Sequence, residues 1–190
     1  MKILTGDLRG RNFFMPADIR PTQNMVRKAI FDIIGHDMTG MHFLDLFAGS
    51  GAVGLEAFSS GAQTVTIVEK DAKCAQTIER NLEFLGIKSI GEEGRMCQFI
   101  QGDVFAVIKS FSQRKRRFDV VFLDPPYDEG LAKKTLKTLS AYDILHPNSL
   151  VIAECGKREG LPYVEHEFEI MTERKYGKSC LIIYKIKPSE

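Results

Sequence analysis

From residue 43 to residue 154 the chain alternates short apolar runs with segments whose apolar residues recur every three or four positions. Phe43–Phe47, Thr64–Val68, Cys97–Gln101, Phe118–Leu123 and Ser149–Glu154 read as buried strands. Gly51–Ser60, Asp71–Leu85, Val104–Phe111 and Gly130–Leu139 carry the helical period, and Gly86 stops the second of them. Strand and helix in such alternation build βαβ crossovers, which predicts a doubly wound, mostly parallel α/β sheet covered on both faces. Beyond residue 160 the period falls to two. Tyr163–Met171 and Ser179–Ile186 leave no room for a crossover helix and predict an antiparallel pair at one sheet edge.

The first 21 residues stand apart. Lys2–Thr5 and Arg11–Met15 can pair across Gly6–Gly10, so residues 1–21 are expected to form a hairpin arm and residues 22–190 the main domain. Val26, Ala29, Ile30, Ile33 and Ile34 share one helix face, with Thr22 as N-cap and Gly35 as stop. A chain of 190 residues suits one such domain. Its 26 basic and 25 acidic side chains leave a net charge of +1, so any attraction to a polyanion must be local. Residues 1–35 hold six basic side chains against three acidic ones, and Arg114–Arg117 form a second basic run, which together suggest a phosphate-binding rim. No apolar run approaches the ~20 residues that cross a bilayer, and charge comes too early for a signal peptide, so a cytoplasmic setting without membrane contact is expected. The four cysteines and four histidines are scattered without ligand spacing, which predicts reduced core thiols and no metal.

Asp45-Leu46-Phe47-Ala48-Gly49-Ser50-Gly51-Ala52-Val53-Gly54 places G-x-G-x-x-G directly after a strand and at the start of a helix, the context of a Rossmann-like nucleotide loop. Glu69 ends the next strand, twenty residues after Gly49, where a carboxylate can take ribose hydroxyls. Both features suit a dinucleotide or S-adenosylmethionine. Asp45 tilts the choice: it would repel a pyrophosphate on this loop and attract the ammonium and sulfonium cations of the methyl donor. Phe47, Gly49 and Gly51 complete the expected donor loop. Asp103, after the third strand, is placed either to reach the adenine end or to cap the following helix.

The sharpest feature is Asp124-Pro125-Pro126-Tyr127, at the end of the fourth strand. Two prolines stop the strand and fix φ, holding the Asp124 carboxylate, the Pro125 carbonyl and the Tyr127 ring at the sheet edge. In a doubly wound order this strand lies beside the first, so these acceptors face the glycine loop. They suit an amino group conjugated to a ring: Asp124 and the Pro125 carbonyl would orient it, and Tyr127 would stack on the base.

On these residues the chain resembles the N-methyltransferases with a DPPY motif, and more narrowly the RsmD-like family of bacterial 16S ribosomal RNA guanine-N2 methyltransferases. The narrower resemblance is carried by Leu8-Arg9-Gly10-Arg11, by Arg20-Pro21-Thr22 leading into Val26 to Phe31, by Leu44 to Ala57, and by Tyr176-Gly177. It implies transfer of a methyl group from S-adenosylmethionine to a guanine N2 in ribosomal RNA or the assembling small subunit; a monomer is expected. Asp124, Pro125 and Tyr127 would serve the acceptor, while Arg9, Arg11 and Arg20 would contact RNA. Lys28 and Lys178 depart from the family pattern, each standing where an acid is frequent. A DNA amino methyltransferase is the alternative within the class, and an NAD-linked oxidoreductase the alternative outside it.

Overall fold

Strand and helix alternate as the hydrophobic pattern predicts. In the computed structural model, which describes residues 1–16, 24–88, 94–127, 129–157, 160–161, 164–165 and 168–187, α1 (Asn24–Ile34) precedes β1 (His42–Leu46), α2 (Ala52–Ser59), β2 (Thr64–Glu69) and α3 (Ala72–Leu85). There follow β3 (Met96–Gln101), α4 (Val104–Gln113), β4 (Phe118–Leu123), α5 (Leu131–Ala141) and β5 (Leu145–Gly156). The last elements are β6 (Val164–Glu165), β7 (Phe168–Tyr176) and β8 (Ser179–Ile186). The strands form one sheet in the order β3-β2-β1-β4-β5-β8-β7-β6. β1 to β5 are parallel, and β8 runs antiparallel to both β5 and β7.

Strands buried on both faces need two apolar layers, and the sheet has them. Phe43, Val65, Ile67, Val120 and Phe122 face α1, α2 and α3, while Leu44, Leu46, Val121 and Leu123 face α4 and α5. Asp71 and Asp103 cap α3 and α4, each accepting two backbone N–H groups on its Oδ1. α3 ends where Gly86 turns left-handed at φ +71°.

Two expected boundaries shift. β5 begins at Leu145 instead of Ser149, because an irregular step opposite Phe118 and Val120 lets Leu145 pair with Phe118. The antiparallel pair is β7 with β8, so its first member runs from Phe168 to Tyr176 instead of Tyr163 to Met171. Gly177, at φ +53°, makes the turn that joins them. Thr22, Arg20 and the expected boundary at residue 21 lie outside the described residues.

The arm is a narrow hairpin whose bridged pair is Lys2 with Asn12. It is fastened along α2 and α3, where Ile3 and Phe13 pack with Ala52, Leu55 and Leu85. Glu56, 1% exposed, gathers it: the Leu4 and Thr5 N–H groups and the Thr5 hydroxyl all donate to its carboxylate. Arg27 of α1, fully buried, lies 3.2 Å from Glu56 Oε2 and donates to the Lys2 carbonyl at 2.6 Å. The turn comes so close to α2 that a Cβ on Gly6 would fall 1.7 Å from the Ser59 carbonyl oxygen. Removing one member of a buried pair strands the other charge without compensation. Glu56→Ala should therefore lower unfolding stability by about 3 to 5 kcal/mol, measured by urea denaturation; a loss below ~1 kcal/mol would place it with weak surface pairs.

Candidate active site

A parallel sheet opens at the carboxyl ends of its strands where the order reverses, here between β1 and β4. The Asp124 N–H still donates to the Leu46 carbonyl at 3.4 Å; beyond that rung the two chains separate. Between them lies a cleft of about 600 Å³, within the usual range of small-molecule sites. Phe47, Gly49, Glu69, Asp103, Asp124, Pro125 and Tyr127, drawn from separate places along the sequence, all line it.

The glycine loop takes its shape from unusual backbone. Phe47 adopts φ +58°, rare for a residue with a bulky side chain, and Gly49 adopts φ +57°. Glu69 Oε2 accepts the Gly49 N–H at 2.8 Å, while its Oε1 accepts the N–H groups of Lys70 and Asp71. The Glu69 carboxylate thus sets the loop as well as facing the cleft. Asp103 caps α4 through Oδ1, as one of its expected readings has it, and also lines the cleft.

Two expected donor-loop residues lie behind the cleft wall. Gly51 is buried, and at φ +76° it makes the turn into α2, where a Cβ would lie 3.4 Å from Ile78 and 3.5 Å from Ile67. Asp45 is 1% exposed and does not line the cleft; its Oδ2 accepts the Gly54 N–H at 2.8 Å, pinning the first turn of α2 to the central strand. Burial pushes the Asp45 carboxyl up to about 7; the Gly54 hydrogen bond opposes this and the Glu69 charge adds to it. The charge argument passes instead to the cleft itself, where, among the described residues, Glu69, Asp71, Asp103, Asp124, Glu129 and Glu154 surround a single cation, Lys70. That field repels a pyrophosphate and favours a cationic ligand.

Sequence reasoning missed three contributors. Glu154, 3% exposed at the end of β5, accepts the Tyr127 hydroxyl at 3.0 Å; an acid closing the apolar run Val151-Ile152-Ala153 was its signal. Burial, with Asp124 and Glu154 adding, drives the Tyr127 phenol above its ordinary pKa, so it stays protonated. Met15 brings the arm into the cleft wall. Asn81 of α3, fully buried, pairs with both backbone groups of Phe14 and donates to the Ser50 carbonyl at 3.1 Å, tying arm and glycine loop together.

Among the described residues, the expected basic rim does not form at this mouth. Arg9 lies in the turn held by Ser59 at the far end of α2, and Arg11 donates to the Leu85 and Phe84 carbonyls at the far end of α3. Arg11 thus satisfies helix C-terminal carbonyls. Arg114–Arg117 precede β4, whose six residues, ~20 Å of strand, separate them from Asp124. Arg116 sits between the Phe111 and Phe118 rings and donates to Thr66, and Arg117 pairs with Asp143. Lys28 pairs with Asp32 on α1 at 2.7 Å.

This Rossmann-like architecture, five parallel strands followed by antiparallel ones with a carboxylate-lined cleft at the switch point, is shared with a putative methyltransferase of Escherichia coli at a TM-score of 0.82 and 30% identity, covering 98% of both chains. The chain belongs to the family described as Conserved hypothetical protein 95, which matches residues 1–185. It is 32% identical over 187 residues to ribosomal RNA small subunit methyltransferase D of Haemophilus influenzae, covering 97% of this chain and 93% of the relative. The solved structure of a hypothetical protein of Thermus thermophilus superposes with a TM-score of 0.82 at 30% identity, covering 99% of both chains. The Thermus thermophilus 16S rRNA N2 G1207 methyltransferase, solved with AdoMet and guanosine, shares the fold with a TM-score of 0.70 at 22% identity. That match covers 95% of this chain and 46% of the other.

Asp45 makes stability depend on pH. Its native pKa of about 7 lies above the ordinary 3.8, so the native state binds a proton that the unfolded chain has lost. Its contribution is full below pH ~4 and disappears as pH rises through ~7, a change on the order of 4 kcal/mol. Asp45→Asn should flatten the fall in stability across this window, read from denaturant melts at pH 4.5 and 7.5. An unchanged slope would mean that Asp45 is ionised in the native state.

Proposed function

We propose that this chain transfers a methyl group from S-adenosylmethionine to the exocyclic N2 of a guanine in small-subunit ribosomal RNA. The observation that carries the reading is the convergence of the glycine loop, Glu69 and Asp124 to Tyr127 on one acid-lined cleft. The relative in Haemophilus influenzae is named for the small ribosomal subunit, and the Thermus thermophilus neighbour for an N2 guanine in 16S rRNA.

The donor end is formed by the loop from Phe47 to Ser50, with Glu69 and Asp103 for the ribose and adenine. When bound, S-adenosylmethionine supplies an electrophilic methyl group on a positively charged sulfur. Asp124 and the Pro125 carbonyl accept the N–H groups of the guanine amine, turning its lone pair toward the donor side and stabilising the positive charge that grows on nitrogen. Tyr127 supplies a ring face for the base, and its hydroxyl bond to Glu154 keeps that ring from swinging. Pro125 and Pro126 have no N–H groups to compete for Asp124. The protein works as a monomer in the cytoplasm, where its ribosomal substrate is assembled; no helix among the described residues is long and apolar enough to cross a membrane. Among the proposed RNA contacts, Arg11 is held by the Leu85 and Phe84 carbonyls and Arg9 lies in the turn of the arm, while Arg20 lies outside the described residues.

The decisive experiment is methyl transfer to 16S ribosomal RNA, with the product mapped by mass spectrometry; methylation of DNA in place of RNA would favour the DNA amino methyltransferase alternative. Calorimetry should show S-adenosylmethionine binding, weakened in Glu69→Ala, and no NAD binding. The reverse preference would defeat the reading.

Asp124→Ala should abolish single-turnover methylation while leaving donor affinity within a few fold. Tyr127→Phe keeps the ring and loses the bond to Glu154, so it should be impaired, though less than Tyr127→Ala. Near-normal turnover by Asp124→Ala would reject its place at the amine.

A further inference from the structure

Methyl transfer to RNA requires the Asp124 edge to receive a polyanion, yet that edge presents six carboxylates to the cleft. Phosphates flanking the target base need cations just outside it. Among the described residues, Arg9 and Arg11 of the arm and the run Arg114–Arg117 sit at the opposite edge, so they do not supply them.

Strand pairing brings other cations to the right place. β5 ends at Gly156, directly opposite Ser179, the first residue of β8. The Tyr127 ring packs against Gly156 so closely that a Cβ there would touch ring carbons at 3.6 Å. One residue on, the Lys157 N–H donates to the Lys178 carbonyl at 3.1 Å. The proposed base platform and two lysines are thus neighbours along one edge. Both lysine side chains are exposed, and neither forms an ion pair among the described residues. Lys175 on the same hairpin is 3.7 Å from Glu173, which partly spends its charge. The positive field is felt nearby: Lys175 and Lys157 both pull against the rise that burial imposes on the Cys180 thiol.

We infer that Lys157 and Lys178 form the phosphate-binding rim that seats RNA beside Tyr127. This rests on the reading of the chain as an RNA methyltransferase. The rim lies next to the acceptor end of the cleft, so it attracts the strand without placing positive charge among the carboxylates that face the donor. RNA phosphates bound there release counterions, which makes affinity fall with salt in proportion to the contacts made.

The test compares the full-length protein with a Lys157→Ala, Lys178→Ala double variant for binding to a 16S rRNA transcript and to small-subunit particles from cells lacking the protein. The salt slope should become shallower by about two contacts, so the wild-type advantage shrinks by about tenfold between 50 and 200 mM salt. KM for RNA should rise, while kcat at saturating RNA and donor affinity stay unchanged. Lys178→Glu should raise KM further than Lys178→Ala. Arg114→Ala with Lys115→Ala, at the opposite edge, should leave the slope as it was. A steep slope in the wild type that the double variant retains would overturn the rim and leave the functional reading standing. A wild type that binds S-adenosylmethionine and methylates no ribosomal RNA would overturn both.

Discussion

One hydrogen-bonded rung decides where chemistry can occur. The Asp124 N–H reaches the Leu46 carbonyl, and after it the two central strands part. β1 turns toward the face covered by α2, while β4 runs into two prolines and on toward α5 on the other face. Right-handed crossovers force this divergence, because the helix after β1 and the helix after β4 pack on opposite sides. The gap left behind is the cleft. Its acidity follows from the same geometry: the ends of β2, β3 and β5 contribute carboxylates that tie down a loop, cap a helix or anchor a ring.

The sheet was legible because its signals are local. A buried parallel strand is a short apolar run, and a helix stop is a glycine after the last periodic residue, as at Gly86. The cleft residues were legible for the same reason, since each ends a strand at a fixed place. Asp45 shows the limit. The motif marks it as part of the loop, but only the fold reveals that its carboxyl turns inward to Gly54. Glu154 lies far from the motif that uses it, and only the β4–β5 pairing brings it to Tyr127.

Charge was the hardest property to read. The basic residues of the arm are dense in sequence, yet the arm runs along α2 and α3 so that its turn lies at one sheet edge and Met15 at the other. Arg11 answers helix carbonyls and Arg27 answers Glu56, so both serve as internal ties. Counting charges along a chain weighs exposed and buried guanidinium groups alike. The lysines that face the acceptor edge are 21 residues apart in sequence and are joined only by antiparallel pairing.

The fastening of the arm also sets an order of events in folding. Its bonds to Glu56, Ser59, Asn81 and Leu85 span 51 to 74 residues of chain. Such distant partners must close large loops before they stabilise anything, whereas the arm's own bridge adds little. The arm, although it precedes α2 and α3 in the chain, is therefore secured only after α3 has emerged and packed. Met15, which completes one wall of the cleft, comes into place at that moment, so a nascent chain gains its finished small-molecule site as a late event, well after its first strands have formed.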